Sequence, residues 1–116
     1  MKVKYATIIV NDMDESVAFY SEVLGFAIDS QYNLGPGISI TLMKGEGEAM
    51  VELIKNSEYQ TGFYSVGMDV DDINAAVEDC KSKGAKILME PRQISVGSLA
   101  FIEDPNGVRI ALIQHS

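Results

Sequence analysis

The chain has one cysteine, one histidine and no tryptophan among its 116 residues. A single thiol, Cys80, excludes an internal disulfide; in the middle of a helical pattern it reads as a packing group before a reactive one. A single imidazole, His115, leaves no histidine near any serine or cysteine nucleophile and argues against a triad. Cations are also scarce. Nine Lys and Arg against 17 Asp and Glu give a formal net charge of -8, which excludes nucleic acid and anionic membrane surfaces as expected partners. The acidity suits a cationic ligand, but solubility alone accounts for it equally well. No apolar run approaches the ~20 residues that cross a bilayer. The opening Met-Lys-Val-Lys-Tyr enters a strand-like pattern instead of a signal peptide, so a cytoplasmic location is expected. No glycine-rich phosphate loop follows a strand, and no low-complexity segment interrupts the chain.

What the sequence does contain is a repeat. Val51-Glu-Leu-Ile-Lys-Asn-Ser57 parallels Ile110-Ala-Leu-Ile-Gln-His-Ser116 at an offset of 59, and Thr7-Ile-Ile-Val-Asn-Asp12 parallels Gly67-Met-Asp-Val-Asp-Asp72 at 60. A fixed internal period points to two copies of one structural unit. At this length neither half buries an adequate core alone, so one domain over residues 1–116 is expected. Its modules are 1–56 and 63–116, joined by the polar linker 57–62.

Each half reads as strand, helix, then three strands. Lys2–Val10 is β-branched and aromatic, without helical period. Asp12 with Glu15 forms a capping box, Met13, Val17, Tyr20, Val23 and Leu24 fall on one helical stripe, and Gly25 ends the helix. Ala27–Tyr32, Ile38–Lys44 and Ala49–Lys55 follow as strands. The second half repeats the order: Phe63–Val70, a helix capped by Asp72 and closed by Gly84, then Ala85–Glu90, Val96–Phe101 and Val108–Gln114. Asp104-Pro-Asn-Gly107 makes the last hairpin turn.

The segment Ser16-Val-Ala-Phe-Tyr-Ser-Glu-Val-Leu-Gly25, the turn Glu103-Asp-Pro-Asn-Gly107 and the duplicated unit together resemble the vicinal oxygen chelate superfamily. That family includes glyoxalase I, extradiol dioxygenases and bleomycin resistance proteins. The resemblance spans nearly the whole chain. It implies an α+β fold of two tandem βαβββ modules, forming a curved mixed sheet around a central groove with the helices on the outer face. The family's metal quartet would fall on Tyr5, Glu52, Ser65 and Ala111. Only Glu52 is a good ligand: a phenol must first lose a proton of pKa ~10, Ser65 is neutral, and Ala111 offers no donor. Catalytic zinc takes about three protein ligands. No metal ligands and no cofactor are therefore expected, with a divalent metal as the alternative. His115, second from the end, reads as a solvated tail or as a substitute ligand.

Alternation along the strands sends every second side chain to the groove. In the first module this selects Tyr5 and Thr7, Met50 and Glu52, and from the third strand Ser39, Thr41 and Met43. In the second it selects Ser65, Asp69, Arg109 and Ala111, with Phe101 if Ala100 and Ile102 pack inward. An apolar wall with sparse polar anchors suits a small molecule. The duller readings stay beside it: Glu52 paired with Arg109, Tyr5 as a core aromatic, the methionines as filler. The expected function is a metal-independent small-molecule-binding protein, holding an aromatic or cationic compound as in antibiotic resistance and acting as a homodimer. The alternative is a metal-dependent glyoxalase-like lyase or isomerase using Glu52 with non-standard ligands. Glu52 is the one candidate catalytic residue, since burial raises a carboxyl toward the range of a general base.

Overall fold

Both helices begin on the same device. Asp12 Oδ1 accepts from the Glu15 amide at 3.0 Å, and Asp72 Oδ1 accepts from the Ala75 amide at 3.1 Å. Each aspartate satisfies one of the amides that a helix start leaves without an internal partner. The computed structural model describes all 116 residues. In chain order these form β1 (Lys2–Val10), α1 (Met13–Ala18), a π-helical turn (Phe19–Val23), β2 (Ala27–Gly35), β3 (Ile38–Lys44) and β4 (Met50–Lys55). There follow β5 (Gly62–Asp69), α2 (Ile73–Ser82), β6 (Lys86–Ile94), β7 (Gly97–Glu103) and β8 (Arg109–His115). This is the α+β class, with the βαβββ order occurring twice. No helix is long and apolar enough to cross a membrane.

The chain divides into two compact units, Tyr5–Tyr64 and Met1–Lys4 with Ser65–Ser116. The repeat had assigned the first four residues to the leading module; they count with the second unit instead. In the first unit the strand order is β2-β3-β4-β1. β2/β3 and β3/β4 are antiparallel, and β4 runs parallel to β1. The second unit repeats this as β6-β7-β8-β5, with β8 parallel to β5.

Each helix covers one face of its own sheet. In the first unit Val10, Met43 and Leu53 form a buried cluster, against which Ile8, Met13, Val17, Tyr20, Phe26 and Val51 pack. In the second, Ile73, Val77, Ala100, Ile102 and Leu112 do the same, with Met68, Cys80 and Ile110 against them. Cys80 is thus a packing thiol. The first helix departs from the uninterrupted pattern expected as far as Gly25, because its last turn widens over Phe19–Val23. Ser21 Oγ donates there to the Val17 carbonyl at 2.9 Å, a side-chain bond that competes with the regular ladder. The hairpin between β7 and β8 is organised by Asp104, whose Oδ1 accepts from the amides of Asn106 and Val108, each at 2.8 Å. These bonds, the one from Val108 foremost, hold its carboxyl below the ordinary carboxylate range.

One glycine fixes the edge of the second unit. Gly97 has φ 144°, and a Cβ there would meet the Gln114 carbonyl oxygen at 1.9 Å and the Ser116 amide at 2.9 Å. Both are backbone atoms, the Ser116 amide itself bonded to the Val96 carbonyl, and cannot yield cheaply. Gly97→Ala is therefore expected to destabilise the protein by roughly 2–4 kcal/mol. Gly47→Ala, where nothing stands within 4 Å, should stay within about 0.5 kcal/mol. Urea unfolding of both variants checks the pair. Equal midpoints would contradict the assignment.

Candidate active site

Glu52 lies in the middle of β4. Its neighbours in register are Thr7 on β1 and Leu42 on β3, so the three side chains share one face. Thr7 Oγ1 donates to Glu52 Oε1 at 2.7 Å, an ordinary length for a hydroxyl–carboxylate bond, set by two adjacent strands. The same alternation places Tyr5, Ile9 and Met50 on this face, and Tyr5, Thr7, Ile9, Leu42 and Met50 are all buried. Apart from the hydroxyls of Thr7 and Tyr5, these neighbours are apolar. Burial pushes the Glu52 carboxyl above its ordinary value, and the Thr7 bond offsets this only in part. Loss of hydration opposes the charged form more than one hydrogen bond supports it.

The placement of β3 requires a correction. Thr41 and Met43 were expected on the face of Glu52. The antiparallel register pairs Thr41 with Leu53 and Met43 with Val51, and these partners pack toward α1, where Met43 is fully buried. Thr41 Oγ1 accepts instead from Gln31 Nε2 at 3.4 Å. Ile40 and Leu42 occupy the face expected of Ser39, Thr41 and Met43. The polar–apolar alternation of β3 suggested the opposite phase because the face carrying Glu52 is itself apolar, and a one-residue change of phase inverts every side chain.

In the second unit the alternation agrees with the sequence. Ala100, Ile102, Ile110 and Leu112 pack with α2, leaving Phe101, Arg109, Ala111 and Asp69 on the opposite face. Phe101 stands in register with Ala111, Ala111 with Gly67, and Arg109 with Glu103. Ser65 is buried. His115, read as a solvated tail or a substitute ligand, ends β8 with an exposed side chain, and its Nδ1 lies 3.0 Å from Asp69 Oδ1. The signal was present: Arg109, Ala111, Ile113 and His115 share one face by alternation, and that face also carries Asp69.

The four positions the family would use for a metal are Tyr5 and Glu52 in the first unit, Ser65 and Ala111 in the second. A phenol, one carboxyl already accepting from Thr7, a hydroxyl and a methyl do not make the charged donor set that a divalent cation requires. Nowhere in the chain do three His, Cys, Asp or Glu side chains come together as a metal-binding group. The residues present do not fit a metal held in the family's manner.

The chain is 31% identical to the lactoylglutathione lyase of Haemophilus influenzae, over 99% of this chain and 93% of that protein. It is 32% identical to a probable lactoylglutathione lyase of Synechocystis sp., over 92% and 90%. Among solved structures, a hypothetical protein from Bacillus halodurans superposes with a TM-score of 0.86 at 18% identity, covering 99% of this chain and 94% of that one. Methylmalonyl-CoA epimerase from Mycobacterium tuberculosis superposes at 0.82 and 21% identity, covering 99% and 88%. At such identities these two likenesses are of fold alone. The sequence model of the glyoxalase/bleomycin resistance protein/dioxygenase superfamily matches residues 2–112. Through that match, the curated relatives and the twice-built βαβββ unit, the chain belongs to the glyoxalase/bleomycin resistance protein/dioxygenase superfamily.

Proposed function

We propose that the chain is a lyase or isomerase acting on a small carbonyl compound, with Glu52 as the base that moves a proton at carbon. The observation that carries this reading is the Glu52 carboxyl, half-buried in an apolar face, raised in pKa and aimed by Thr7. A base in that condition takes a proton readily once ionised and holds it long enough to return it elsewhere on the substrate. Relatives at 31–34% identity are named lactoylglutathione lyase or probable lactoylglutathione lyase, which favours an enzyme over the carrier expected from the missing metal ligands. Substrates of the lactoylglutathione kind, a small acyl or aldehyde unit joined to a thiol, are the first class to assay.

The division of labour follows from the geometry. Glu52 is the catalytic residue; Thr7 is a positioning residue that fixes one carboxyl oxygen and leaves the other for the substrate. Tyr5, Ile9, Leu42 and Met50 exclude water, which strengthens every electrostatic interaction at the carboxyl. No step is routed through a metal, because the donor set does not fit one. We place the protein in the cytoplasm as a homodimer. A binding role without chemistry is the second reading, favoured by that same donor set.

Solvent deuterium exchange separates the two. With glutathione and methylglyoxal, or with lactoylglutathione itself, the enzyme reading predicts deuterium at the substrate carbon. Glu52→Gln should lower kcat by about 10²–10⁴-fold. The same variant should be more stable than the parent at neutral pH. A carboxyl raised on folding is protonated more fully in the native state, so stability falls as pH rises from 4.5 toward the folded value. The gain in Glu52→Gln should therefore vanish below pH 4.5, as thermal melts against pH will test. Deuterium incorporation unchanged in Glu52→Gln would remove Glu52 from the chemistry; ligand-induced melting shifts with no incorporation in the parent would favour the binding role.

Thr7→Val deletes the bond that partly lowers the Glu52 pKa. The acid limb of its pH–rate profile should move to higher pH, with KM changed less than kcat. A limb that stays in place, or one that Thr7→Ser fails to restore, would deny Thr7 its positioning role.

A further inference from the structure

The two helices follow one plan and differ at their surfaces. The first is one residue longer between its capping aspartate and its closing glycine (12–25 against 72–84), and the π-helical turn at Phe19–Val23 takes up that residue. The Leu24 amide meets the Phe19 carbonyl at 3.4 Å where, in the second unit, the Lys83 amide meets the Asp79 carbonyl at 3.2 Å. Phe19 thus corresponds to Asp79, and Leu24 to Lys83. In the second unit these side chains form an exposed ion pair, Lys83 Nζ to Asp79 Oδ2 at 2.9 Å. In the first, a phenyl ring and an isobutyl group replace them, 51% and 50% exposed, and the adjoining Val23 is 65% exposed. Val23 and Leu24 read from the sequence as part of the inward stripe; the widened turn carries them to the surface instead.

Single exposed apolar side chains are ordinary, but this group continues into a groove with an acidic rim. Phe19 borders an open recess of about 440 Å³, where Ile8, Val10 and Tyr20 are joined by Asp12 and Glu15. Asp14, Glu15 and Glu22 of the same helical segment are exposed, and no Lys, Arg or His occurs between Lys4 and Lys44. The charge of the chain is lopsided in the same sense. The unit Tyr5–Tyr64 holds nine Asp and Glu against two Lys; the other holds eight against seven Lys and Arg. Nearly all of the formal -8 therefore belongs to the unit that bears the apolar patch. Such a surface repels a second copy of itself and an anionic lipid, and it attracts a cation.

We propose that this face of the first helix docks a basic amphipathic helix of another protein. The apolar side of that helix lies over Phe19, Val23 and Leu24 and along the recess, the mode in which an amphipathic helix fills a groove. Its lysines or arginines meet Asp14, Glu15 and Glu22. The apolar contacts at the centre supply the affinity, and the carboxylates select the partner and speed its approach. The docking face is the helix side of the sheet, opposite the face that carries Glu52, so this binding is a property separate from the proposed chemistry.

The probe is a labelled synthetic peptide of about 18 leucines and lysines with leucine along one helical face. Fluorescence anisotropy should show binding to the full chain that weakens as salt is added. Phe19→Asp combined with Leu24→Lys installs the pair of the second unit at unchanged net charge. It should lower the affinity by about tenfold or more and leave the urea midpoint little changed. Glu15→Gln combined with Glu22→Gln keeps the apolar face and should flatten the salt dependence. Sedimentation should give the same oligomeric state for the parent and the Phe19→Asp, Leu24→Lys variant. Undiminished binding by that variant would overturn the proposal, as would a salt dependence untouched by the two glutamine substitutions. So would equal binding of a peptide of the same composition with its leucines spread around the helix. A parent assembly that Phe19→Asp with Leu24→Lys dissociates would give the face to a second copy of the chain and overturn it as well.

Discussion

A carboxyl removed from water must be compensated or give up its charge, and at Glu52 the compensation is partial. One hydroxyl, from Thr7, meets it at 2.7 Å; the remaining buried neighbours on that face are Tyr5, Ile9, Leu42 and Met50. The contact depends on β1 running parallel to β4 in the register that sets Thr7 beside Glu52. Shifted by one residue, the threonine would face the helix and the carboxyl would have no donor. The packing of Val10, Met43 and Leu53 beneath α1 fixes that register, so the contact at Glu52 rests on core residues of the opposite face.

Duplication explains why the two units share a plan and differ in chemistry. Asp12 and Asp72 cap equivalent helices, and Gly25 and Gly84 close them with φ of 76° and 87°. Positions that set the backbone are alike. Positions on the sheet face away from the helix are free to differ, and there Glu52 in one unit corresponds to Ala111 in the other. The first unit carries a lone acid with a hydroxyl; the second carries an acid beside an imidazole. That asymmetry is what one scaffold permits when its folding information lies on one face and its chemistry on the other.

Most of the fold was legible in the sequence because it is written in local signals. The caps, the terminating glycines, the Asp104 turn and the offset near 60 give every element and its order. The π-helical turn at Phe19–Val23 was not legible, since a helical stripe does not reveal a widened last turn. Nor was the phase of β3: Ile38, Ile40 and Leu42 look like residues that seek the helix, yet Ile40 and Leu42 line the face of Glu52. Glu52 itself was found through the family resemblance, as the one good ligand among the four positions it implies. Its hydrogen bond to Thr7 required the register of two strands 45 residues apart. His115 was read as a solvated tail or a substitute ligand because it sits one residue from the end, although alternation places it on the face of Asp69.

Folding turns Glu52 into a half-buried carboxyl with a raised pKa, and a direct titration tests this without any substrate. The side-chain carboxyl carbon of Glu52, assigned by comparison with Glu52→Gln in ¹³C-labelled protein, can be followed from acid to neutral pH. The account predicts a midpoint clearly above the ordinary 4.5 and above those of the exposed glutamates in the same spectra. A midpoint at or below 4.5 would mean that the carboxyl stays solvated or fully compensated, and the proposed base would be an ordinary surface acid.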